Sequence, residues 1–400
     1  MRTAVLYTSM LSMVVAFVVW SMISPIAPQL QSIYHLSSFS KSIVVATPVL
    51  LGSLFRIPLG MLTDRFGGRL VYTLLMVYLV IPLVGISTAH TFRALIFWEV
   101  LLGVAGTSFA VGIGHVSAWF PPERQGLVLG ITALGNIGTA VAGFTVPTLF
   151  LAIGLRNTFL VMIVPVLLAA AALWLFTRDP QPEPKPKSAE NASTEFTAEA
   201  FWGNSHLWSL SLYYFITFGG FVAFGNYLPT LLQSQFQLSP VSAGFRSSGF
   251  VVLATFIRPV GGYLADRIRP NWLLWAVFLL LGVFASLLAV GLYSMPLTTV
   301  SALAIAALLG IGNGSVFKLV PLYFPGKTGK ATGIVGAIGG LGGFFPPLVM
   351  GAIYQATGNY AGGLLLLAAS CVGVLVVSLL QERREGRGGG YDGHGGKSPA

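Results

Sequence analysis

The stretch 55–69, FRIPLGMLTDRFGGR, returns later in the chain as 256–269, FIRPVGGYLADRIR. In both copies an arginine precedes an aspartate by eight residues, and the two arginines, Arg56 and Arg258, lie 202 positions apart. Each copy lies at the end of a long apolar run. The repeat therefore indicates a chain built from two similar halves, each with one arginine inside an apolar segment.

The composition surrounding this repeat is that of a membrane protein. Of the 400 residues, 55% are apolar and 8% are charged, and the mean hydropathy is +0.81, whereas soluble domains carry about a quarter charged residues. Apolar runs of about 20 residues, long enough to cross a hydrocarbon core of about 30 Å as a helix, recur along the chain. They do not alternate with period two, so a β-barrel is excluded.

Twelve apolar runs predict an all-α membrane protein with twelve transmembrane helices in two pseudo-symmetric six-helix halves. The predicted helices cover 4–25, 40–62, 69–88, 92–118, 125–150, 157–177, 206–233, 241–264, 272–294, 298–322, 331–355 and 360–381. We expect an N-terminal half at 1–177, a cytoplasmic linker at 178–205, a C-terminal half at 206–381 and a flexible cytoplasmic tail at 382–400. The linker and tail are rich in Pro, Ser, Gly and charged residues, which cannot form a core.

The distribution of basic residues predicts the orientation in the plasma membrane. Most of them fall on one side of the predicted helices: Arg2, Arg65, Arg69, Arg124, Arg178, Lys185, Lys187, Arg267, Arg269, Lys327, Lys330, Arg383, Arg384, Arg387 and Lys397. Only Lys41, Arg93, Arg156 and Arg246 fall on the other side. Because cytoplasmic loops are enriched in Lys and Arg, both termini are expected in the cytoplasm. This bias also explains the net charge of +10 without nucleic-acid binding.

Arg56 and Arg258 are the strongest candidates for a binding site. Each lies about 12 Å inside its predicted helix, counted from the loop aspartate at 1.5 Å per residue. A charged side chain near the bilayer centre costs at least about 2.5–3.5 kcal/mol and is usually functional. Glu99 is the only acidic residue within the twelve runs, so it cannot neutralise both arginines. A guanidinium suits a planar oxyanion, which makes an anion site the preferred interpretation over structural pairing.

Two glycine-rich segments recur about two hundred residues apart, GLVLGITALGNIGTAVAGFTVP and TGIVGAIGGLGGFFPP. Glycines four residues apart, such as Gly336 with Gly340 and Gly339 with Gly343, let helices approach closely, so packing explains most of them. Packing does not explain Asn136, an amide inside an apolar helix. We expect it to find a buried partner or a ligand.

The stretch GMLTDRFGGR resembles the loop motif of the major facilitator superfamily between its second and third helices. The motif positions are Asp64, Arg65 and Arg69, and Asp266 and Arg267 repeat part of it. That superfamily consists of two six-helix halves with the substrate between them near the midplane. ALGNIG with Pro147, TGIVGAIGGLGGFFPP and IGNGSVFKLVP further resemble the nitrate/nitrite porter family of the NarK type.

This resemblance implies a transporter of nitrate and/or nitrite, as a nitrate/proton symporter or a nitrate/nitrite exchanger. It implies that Arg56 and Arg258 clamp the anion, with aromatic side chains from Phe109, Tyr214 and Phe218. It also implies two signature segments, whose residues are Gly135, Asn136 and Gly138 in the first and Gly336, Gly339, Gly340 and Gly343 in the second. From spacing alone, Tyr214 and Phe218 share a helix face. Aromatic faces above and below a flat anion would exclude tetrahedral anions, although ordinary packing also explains such rings.

Proton coupling has three candidate side chains, Glu99, His115 and Lys318. Net inward movement of an anion against a negative-inside potential requires a cotransported proton, because one charge moved through 100 mV is worth about 2.3 kcal/mol. Each of the three also has a structural interpretation, hydration or packing for the first two and snorkelling for Lys318. Exchange of nitrate for nitrite would need none of them.

Other functions are less consistent with the sequence. Another small anion such as formate or oxalate would also suit the arginines, but the asparagine and glycine segments argue against it. A sensor that binds an anion without moving it has less need for two matched halves. An enzyme or primary pump is disfavoured because the sequence has no catalytic motif and no nucleotide-binding loop. The single cysteine, Cys371, excludes disulfides. We expect no cofactor or metal, contact with lipid and a monomer.

Overall fold

The computed structural model describes residues 1–180, 201–324 and 328–387. These residues fold into helices and connecting turns, without a β-strand in the described ranges. The expectation of an all-α membrane protein is therefore confirmed.

Eleven helices in the described ranges are long and apolar enough to span a membrane. One of them, Val128–Phe176, has 49 residues, which as a straight helix would measure about 74 Å, more than twice the thickness of the hydrocarbon core. It is broken at Gly154, where φ is 75° and ψ is 173°. Because only glycine adopts that conformation without strain, the chain turns back there and makes two passes. The described fold therefore has the twelve predicted spans.

We number the spans α1 to α12, and several of them consist of two helical segments. Their bounds are α1 (Arg2–Ser21 and Ala27–Ile33), α2 (Ser38–Leu54 and Arg56–Phe66), α3 (Gly68–Tyr78 and Val80–Ser87), α4 (Phe92–Leu102 and Ser108–Ser117), α5 (Pro122–Ala133 and 138–153), α6 (155–161 and Ile163–Phe176), α7 (Ser205–Phe236), α8 (Pro240–Phe256 and Arg258–Arg267), α9 (Pro270–Val290), α10 (Met295–Tyr323), α11 (Thr328–Leu341 and Phe345–Thr357) and α12 (Ala361–Arg387). Short 3₁₀ segments continue α4 at Gly103–Thr107 and α5 at Leu134–Ile137.

The internal repeat is visible as a matched break in α2 and α8. In each helix one residue separates the two helical segments, and its backbone angles are similar in both. The φ/ψ values are −77°/−5° at Phe55 and −82°/−11° at Ile257. A proline follows closely after each break: Pro58 lies two residues after Arg56 in α2, and Pro259 directly follows Arg258 in α8. Because proline lacks an amide hydrogen and crowds the preceding turn, it interrupts the helix there. Arg56 and Arg258 each open the second segment.

The bundle has two ends, which we define by the chain segments they carry. The linker end carries residues 1, 66–68, 177–180 and 201–205, and the far end carries residues 33–38, 87–92 and 236–240. Large apolar side chains such as Leu168, Leu175 and Val290 are exposed on the outer faces of the helices. In a protein of this composition they face lipid.

The two halves contact each other mainly at the far end. The hydrogen bonds that join the halves within the described ranges extend from the midplane to that end. They include Gln29 Nε2 to Gln233 Oε1 at 2.7 Å, Ser248 Oγ to the Ala140 carbonyl at 2.8 Å and the Phe39 amide to Gln355 Oε1 at 3.0 Å. Gly143 and Gly244 pack backbone to backbone, since a Cβ on Gly244 would lie 2.2 Å from the Gly143 carbonyl oxygen. The bundle is therefore closed at the far end.

The predicted linker and tail are ordered at their edges. Asp179 accepts a hydrogen bond from the Arg69 amide at 2.9 Å, and Phe201 is fully buried with its ring 5.5 Å from that of Phe324. The last helix runs to Arg387, past the predicted boundary at residue 381. The remaining parts of the predicted linker and tail, 181–200 and 388–400, lie outside the described residues.

Candidate functional site

Arg56 projects from the break of α2 into the interface between the halves. It is only 4% exposed, and its Nη1 donates a hydrogen bond of 3.0 Å to the Gly336 carbonyl on α11 of the other half. Its guanidinium carbon lies 5.2 Å from the ring centres of both Phe109 and Phe218. These cation–π contacts stabilise the charge where water is excluded.

Arg258 approaches the same aromatic group from α8. Its Nη2 donates a hydrogen bond of 3.0 Å to the Tyr214 hydroxyl, and its guanidinium carbon lies 5.7 Å from the Phe218 ring centre. Unlike Arg56, it is partly exposed. The structure therefore brings both predicted arginines together with all three predicted aromatic residues.

Both guanidinium groups have N–H donors that form no hydrogen bond with the described residues. Nε and Nη2 of Arg56 and Nη1 of Arg258 are buried atoms with no hydrogen-bond partner among the described residues. Neither arginine forms an ion pair there. Since both groups lie over the Phe218 ring, their central carbons can be at most about 11 Å apart, the sum of the two distances to that ring. Two cations this close, with open donors and no ion pair among the described residues, are chemically complementary to an anion.

The aromatic rings are arranged differently from the expected sandwich. Tyr214 and Phe218 stack on each other, with centres 4.8 Å apart and planes at 4°, so no anion fits between them. Phe109 from the other half lies 6.3 Å from Phe218 at an angle of 38°. The α7 pair therefore forms one continuous wall and Phe109 the opposite side. The spacing of four residues predicted a shared face, but not that the rings would fill the space between them.

The signature glycines of α11 allow close contact with this wall. A Cβ on Gly339 would lie 2.1 Å from Tyr214 Cδ1, and one on Gly340 would lie 2.5 Å from Ser53 Oγ and 3.2 Å from Arg56 Nη1. A Cβ on Gly343 would lie 2.5 Å from Val222 on α7. A Cβ on Gly336 would meet nothing within 4 Å, so this residue contributes its carbonyl oxygen.

The first signature segment packs α5 against α1. A Cβ on Gly135 would lie 2.6 Å from the Met13 side chain, and one on Gly138 would lie 2.2 Å from the Val14 carbonyl oxygen. Asn136 between them is fully buried, and neither its Oδ1 nor its Nδ2 has a partner among the described residues. An unpaired buried amide costs about 1–3 kcal/mol, which is consistent with a ligand that completes it.

The loop motifs lie at the linker end, away from the arginine pair. Arg69 donates from Nε to the Trp174 carbonyl at 3.0 Å and lies over that indole ring at 4.1 Å. Asp64 and Arg65 are exposed, and the Arg65 guanidinium lies 5.2 Å from the Phe66 ring. In the second half Arg267 lies over the Tyr263 ring at 4.7 Å. These residues are placed to fix helix ends rather than to contact a substrate.

The three candidates for proton coupling are scattered. Glu99 on α4 is fully buried with both oxygens unpartnered among the described residues, but it lies in the far-end segment Phe92–Leu102. His115 lies near the linker end, with Nδ1 3.2 Å from Ser9 Oγ and Nε2 3.8 Å from the Asp179 carboxylate. Lys318 forms an ion pair with Asp266 within the second half. The structure therefore gives the latter two residues local partners and leaves Glu99 without one.

Several polar residues around the arginine pair were not predicted from the sequence. Thr217 on α7 and Asn313 on α10 are fully buried with side-chain atoms unpartnered among the described residues, and so is Ser53 Oγ on α2. Asn313 lies on the helix stripe between Leu309 and Phe317, which pack against α7. The segment IGNGSVF contained the signal, since an amide inside an apolar run is costly wherever it occurs.

The sequence is similar to those of known membrane transporters along most of its length. The Major Facilitator Superfamily model matches residues 9–323. The chain is 43% identical over 380 residues to the "Nitrite extrusion protein" of Bacillus subtilis, covering 94% of this chain and 93% of that protein. It is 38% identical over 375 residues to the "Probable nitrate transporter NarT" of Staphylococcus epidermidis, covering 94% and 95%. The chain belongs to the nitrate/nitrite porter family of the major facilitator superfamily.

Further comparisons agree with this assignment. The "Probable nitrate/nitrite transporter NarK2" of Mycobacterium tuberculosis H37Rv is 38% identical to this porter over 377 residues, covering 92% of this chain and 94% of that protein. Among solved structures, a bacterial homologue of the human lysosomal transporter Spinster superposes with a TM-score of 0.75 at 22% identity, covering 94% of this porter and 95% of that chain. That likeness supports the superfamily fold.

Proposed function

We propose that this porter moves nitrate and nitrite across the plasma membrane and binds them between Arg56 and Arg258. The names of its relatives support these substrates. The observation that carries the proposal is the set of open guanidinium donors on two cations that lack any anionic partner within the described chain.

The surroundings favour a small planar oxyanion. Nitrate and nitrite can accept in-plane hydrogen bonds from both guanidinium groups and lie flat against the ring of Phe109 or of Phe218. The buried Asn136 amide supplies further donors near the midplane. Tetrahedral phosphate or sulfate would need more depth than a flat anion beside these rings, so both should be rejected.

Alternating access follows from the placement of the contacts between the halves. They lie mainly at the far end, while Arg258, on the linker-end segment of α8, is partly exposed. The excess of basic residues at the linker end supports a cytoplasmic position for both termini. In that orientation the described conformation faces the cytoplasm. An anion that screens the two arginines lowers their repulsion and lets the halves close around it.

This screening favours exchange of nitrate for nitrite as the basic mode. An empty site leaves the arginines unscreened, which disfavours closure and return of the empty carrier. Symport with protons is the second mode, and it has one observation in its favour: the fully buried carboxyl group of Glu99 has no partner among the described residues. Since the arginine pair is contained within one chain, a monomer suffices for either mode.

Transport by the purified protein in liposomes tests the proposal. Nitrate is added outside, a pH-sensitive dye is enclosed, and nitrite is either enclosed or left out. Exchange predicts nitrate entry only with nitrite inside and a constant lumenal pH. Entry into nitrite-free liposomes with lumenal acidification would assign symport and make Glu99→Gln the next variant.

Control anions separate the proposed function from its alternatives. Formate, oxalate and phosphate are supplied in the same assay at equal concentration. Preferred entry of formate or oxalate would identify a carboxylate transporter. Saturable nitrate binding without flux under any gradient would identify a sensor. Either result would refute nitrate and nitrite transport.

A further inference from the structure

A second anion-attracting feature lies at the far end, well away from the arginine pair. A cavity of about 510 Å³ opens there between the two halves, and we call it the far-end vestibule. Its wall includes Gln29, Gln31 and Lys41 from the first half and Gln233, Ser234 and Gln237 from the second. Amides and hydroxyls can donate to an anion, and no acidic residue lines the vestibule.

Lys41 is the one charged residue of this wall, and its placement is unusual. It lies in the first turn of α2 and is only 3% exposed, although a lysine near a membrane surface normally extends into water or toward lipid headgroups. Among the described residues its ammonium group has no ion pair or side-chain hydrogen bond. Lys41 lines the open vestibule, so its ammonium group can face that cavity rather than lipid.

The vestibule leads toward the midplane through a polar seal. Gln29 and Gln233 join the halves by a 2.7 Å hydrogen bond, and Gln233 also donates to the Pro25 carbonyl at 3.1 Å. Pro25 in turn lines a small cavity with Ser21 and Ser248, between the vestibule and the arginine pair. The vestibule therefore lies at the outer end of a polar column that the far-end contacts close.

We propose that Lys41 and the vestibule amides form an entry site that collects a small monovalent anion before the far end opens. This inference rests on the proposed function, because the anion collected is the transported one. A single cation in a water-filled cleft focuses its field and raises the local anion concentration. The site should act on substrate arriving from the far side only, and it should weaken as salt screens the charge.

Uptake into membrane vesicles of both orientations tests this entry site. Initial nitrate rates are measured against concentration for wild type, Lys41→Met and Lys41→Arg in right-side-out and inside-out vesicles. For Lys41→Met the KM from the far side should rise about fivefold, the factor expected for one unit charge at contact distance in water. The KM from the linker side should stay within error, and Lys41→Arg should keep the wild-type KM. Arg93→Gln, which removes an exposed far-end cation outside the vestibule, is the matched control and should change nothing.

The outcomes distinguish this inference from the proposed function. An unchanged far-side KM for Lys41→Met, or an equal rise from both sides, would overturn the entry site while nitrate transport stood. Absence of nitrate transport by wild type in either orientation would refute the function itself. If Lys41→Met does not fold, the wild-type protein still tests the entry site. Its nitrate KM from the far side should rise more steeply with ionic strength than its KM from the linker side. An equal dependence from both sides would overturn the inference.

Discussion

Gly339 offers the sharpest perturbation of the site without touching a charge. A Cβ at this position would lie 2.1 Å from Tyr214 Cδ1 and 2.9 Å from Tyr214 Cγ. The tyrosine ring cannot retreat freely, because it is stacked on Phe218 at 4.8 Å and met edge-on by Phe317 at 4.8 Å. Gly339→Ala must therefore move the ring or α11 by about 1 Å or more, since ordinary contacts start near 3.4 Å.

The consequence of Gly339→Ala can be estimated from known overpacking. An extra methyl group in a well-packed interior costs about 1–3 kcal/mol. A ring shift of this size also breaks the 3.0 Å hydrogen bond between Tyr214 and Arg258. Displacing a binding group by about 1 Å commonly lowers activity by one to two orders of magnitude. We expect nitrate kcat/KM to fall at least tenfold, with a lowered Tm.

The same helix supplies a matched control. Gly336 lies three residues earlier, and a Cβ there would meet nothing within 4 Å. Gly336→Ala should keep transport and raise stability slightly, because alanine is favoured over glycine in a helix by about 1 kcal/mol. Both variants are reconstituted, and initial nitrate uptake is measured beside Tm in detergent. Equal transport by the two variants would refute the contact between α11 and Tyr214 as a determinant of the site.

Three further substitutions probe the Tyr214 hydroxyl, the far-end seal and the Asn136 amide. Tyr214→Phe removes the hydroxyl that accepts from Arg258 but keeps the ring stack, so KM for nitrate should rise about 10- to 100-fold, as for loss of a hydrogen bond to a charged group; a KM within twofold of wild type would contradict this. Gly244→Ala places a Cβ 2.2 Å from the Gly143 carbonyl oxygen and should hold the far end open. An impermeant thiol reagent added on the far side should then label Ser21→Cys, which lines the small cavity inside the seal, faster than without Gly244→Ala, and unchanged labelling would refute the seal. Asn136→Leu removes an unpaired buried amide, so it should raise Tm without nitrate while abolishing stabilisation by nitrate; retained stabilisation would exclude the amide as a ligand.

The transmembrane spans could be predicted from the sequence because a chain in lipid must satisfy its backbone hydrogen bonds within helices. Apolar runs near 20 residues identified the spans, whereas the breaks of α2 and α8 next to Pro58 and Pro259 were not predicted. The turn between α5 and α6 depended on Gly154, whose positive φ cannot be recognised from composition. The helical conformation of residues 382–387 was not predicted, because a charged, glycine-containing sequence does not indicate that the last helix continues.

The candidate site was only partly predictable. Insertion cost identified Arg56 and Arg258 without knowledge of their neighbours. Their partners depend on how each helix is rotated, so the Gly336 carbonyl that holds Arg56 could not be found from spacing. The same is true of Tyr214 and Phe218, where only packing against Phe317 and α11 determines that they stack on each other.

The partners of the three candidates for proton coupling could not be predicted from the sequence either. A titratable residue in an apolar helix indicates a free-energy cost of burial, but the sequence does not show which partner offsets that cost. His115 is offset by Ser9 and Asp179, the second of which lies beyond the predicted end of the first half. Lys318 is offset by Asp266. Only Glu99 keeps the cost without a described partner, which makes it the one candidate that the structure leaves for symport.

Nitrate-dependent thermal stabilisation of the purified protein tests whether one small planar anion bridges Arg56 and Arg258. Binding to the native state raises the free energy of unfolding by about 2.7 kcal/mol at one hundred times Kd. We expect a saturable rise in Tm with nitrate and nitrite but not with phosphate or sulfate. Arg56→Gln and Arg258→Gln should each lose this rise while remaining folded. Undiminished stabilisation by nitrate in either folded variant would show that the two arginines do not share a bound anion.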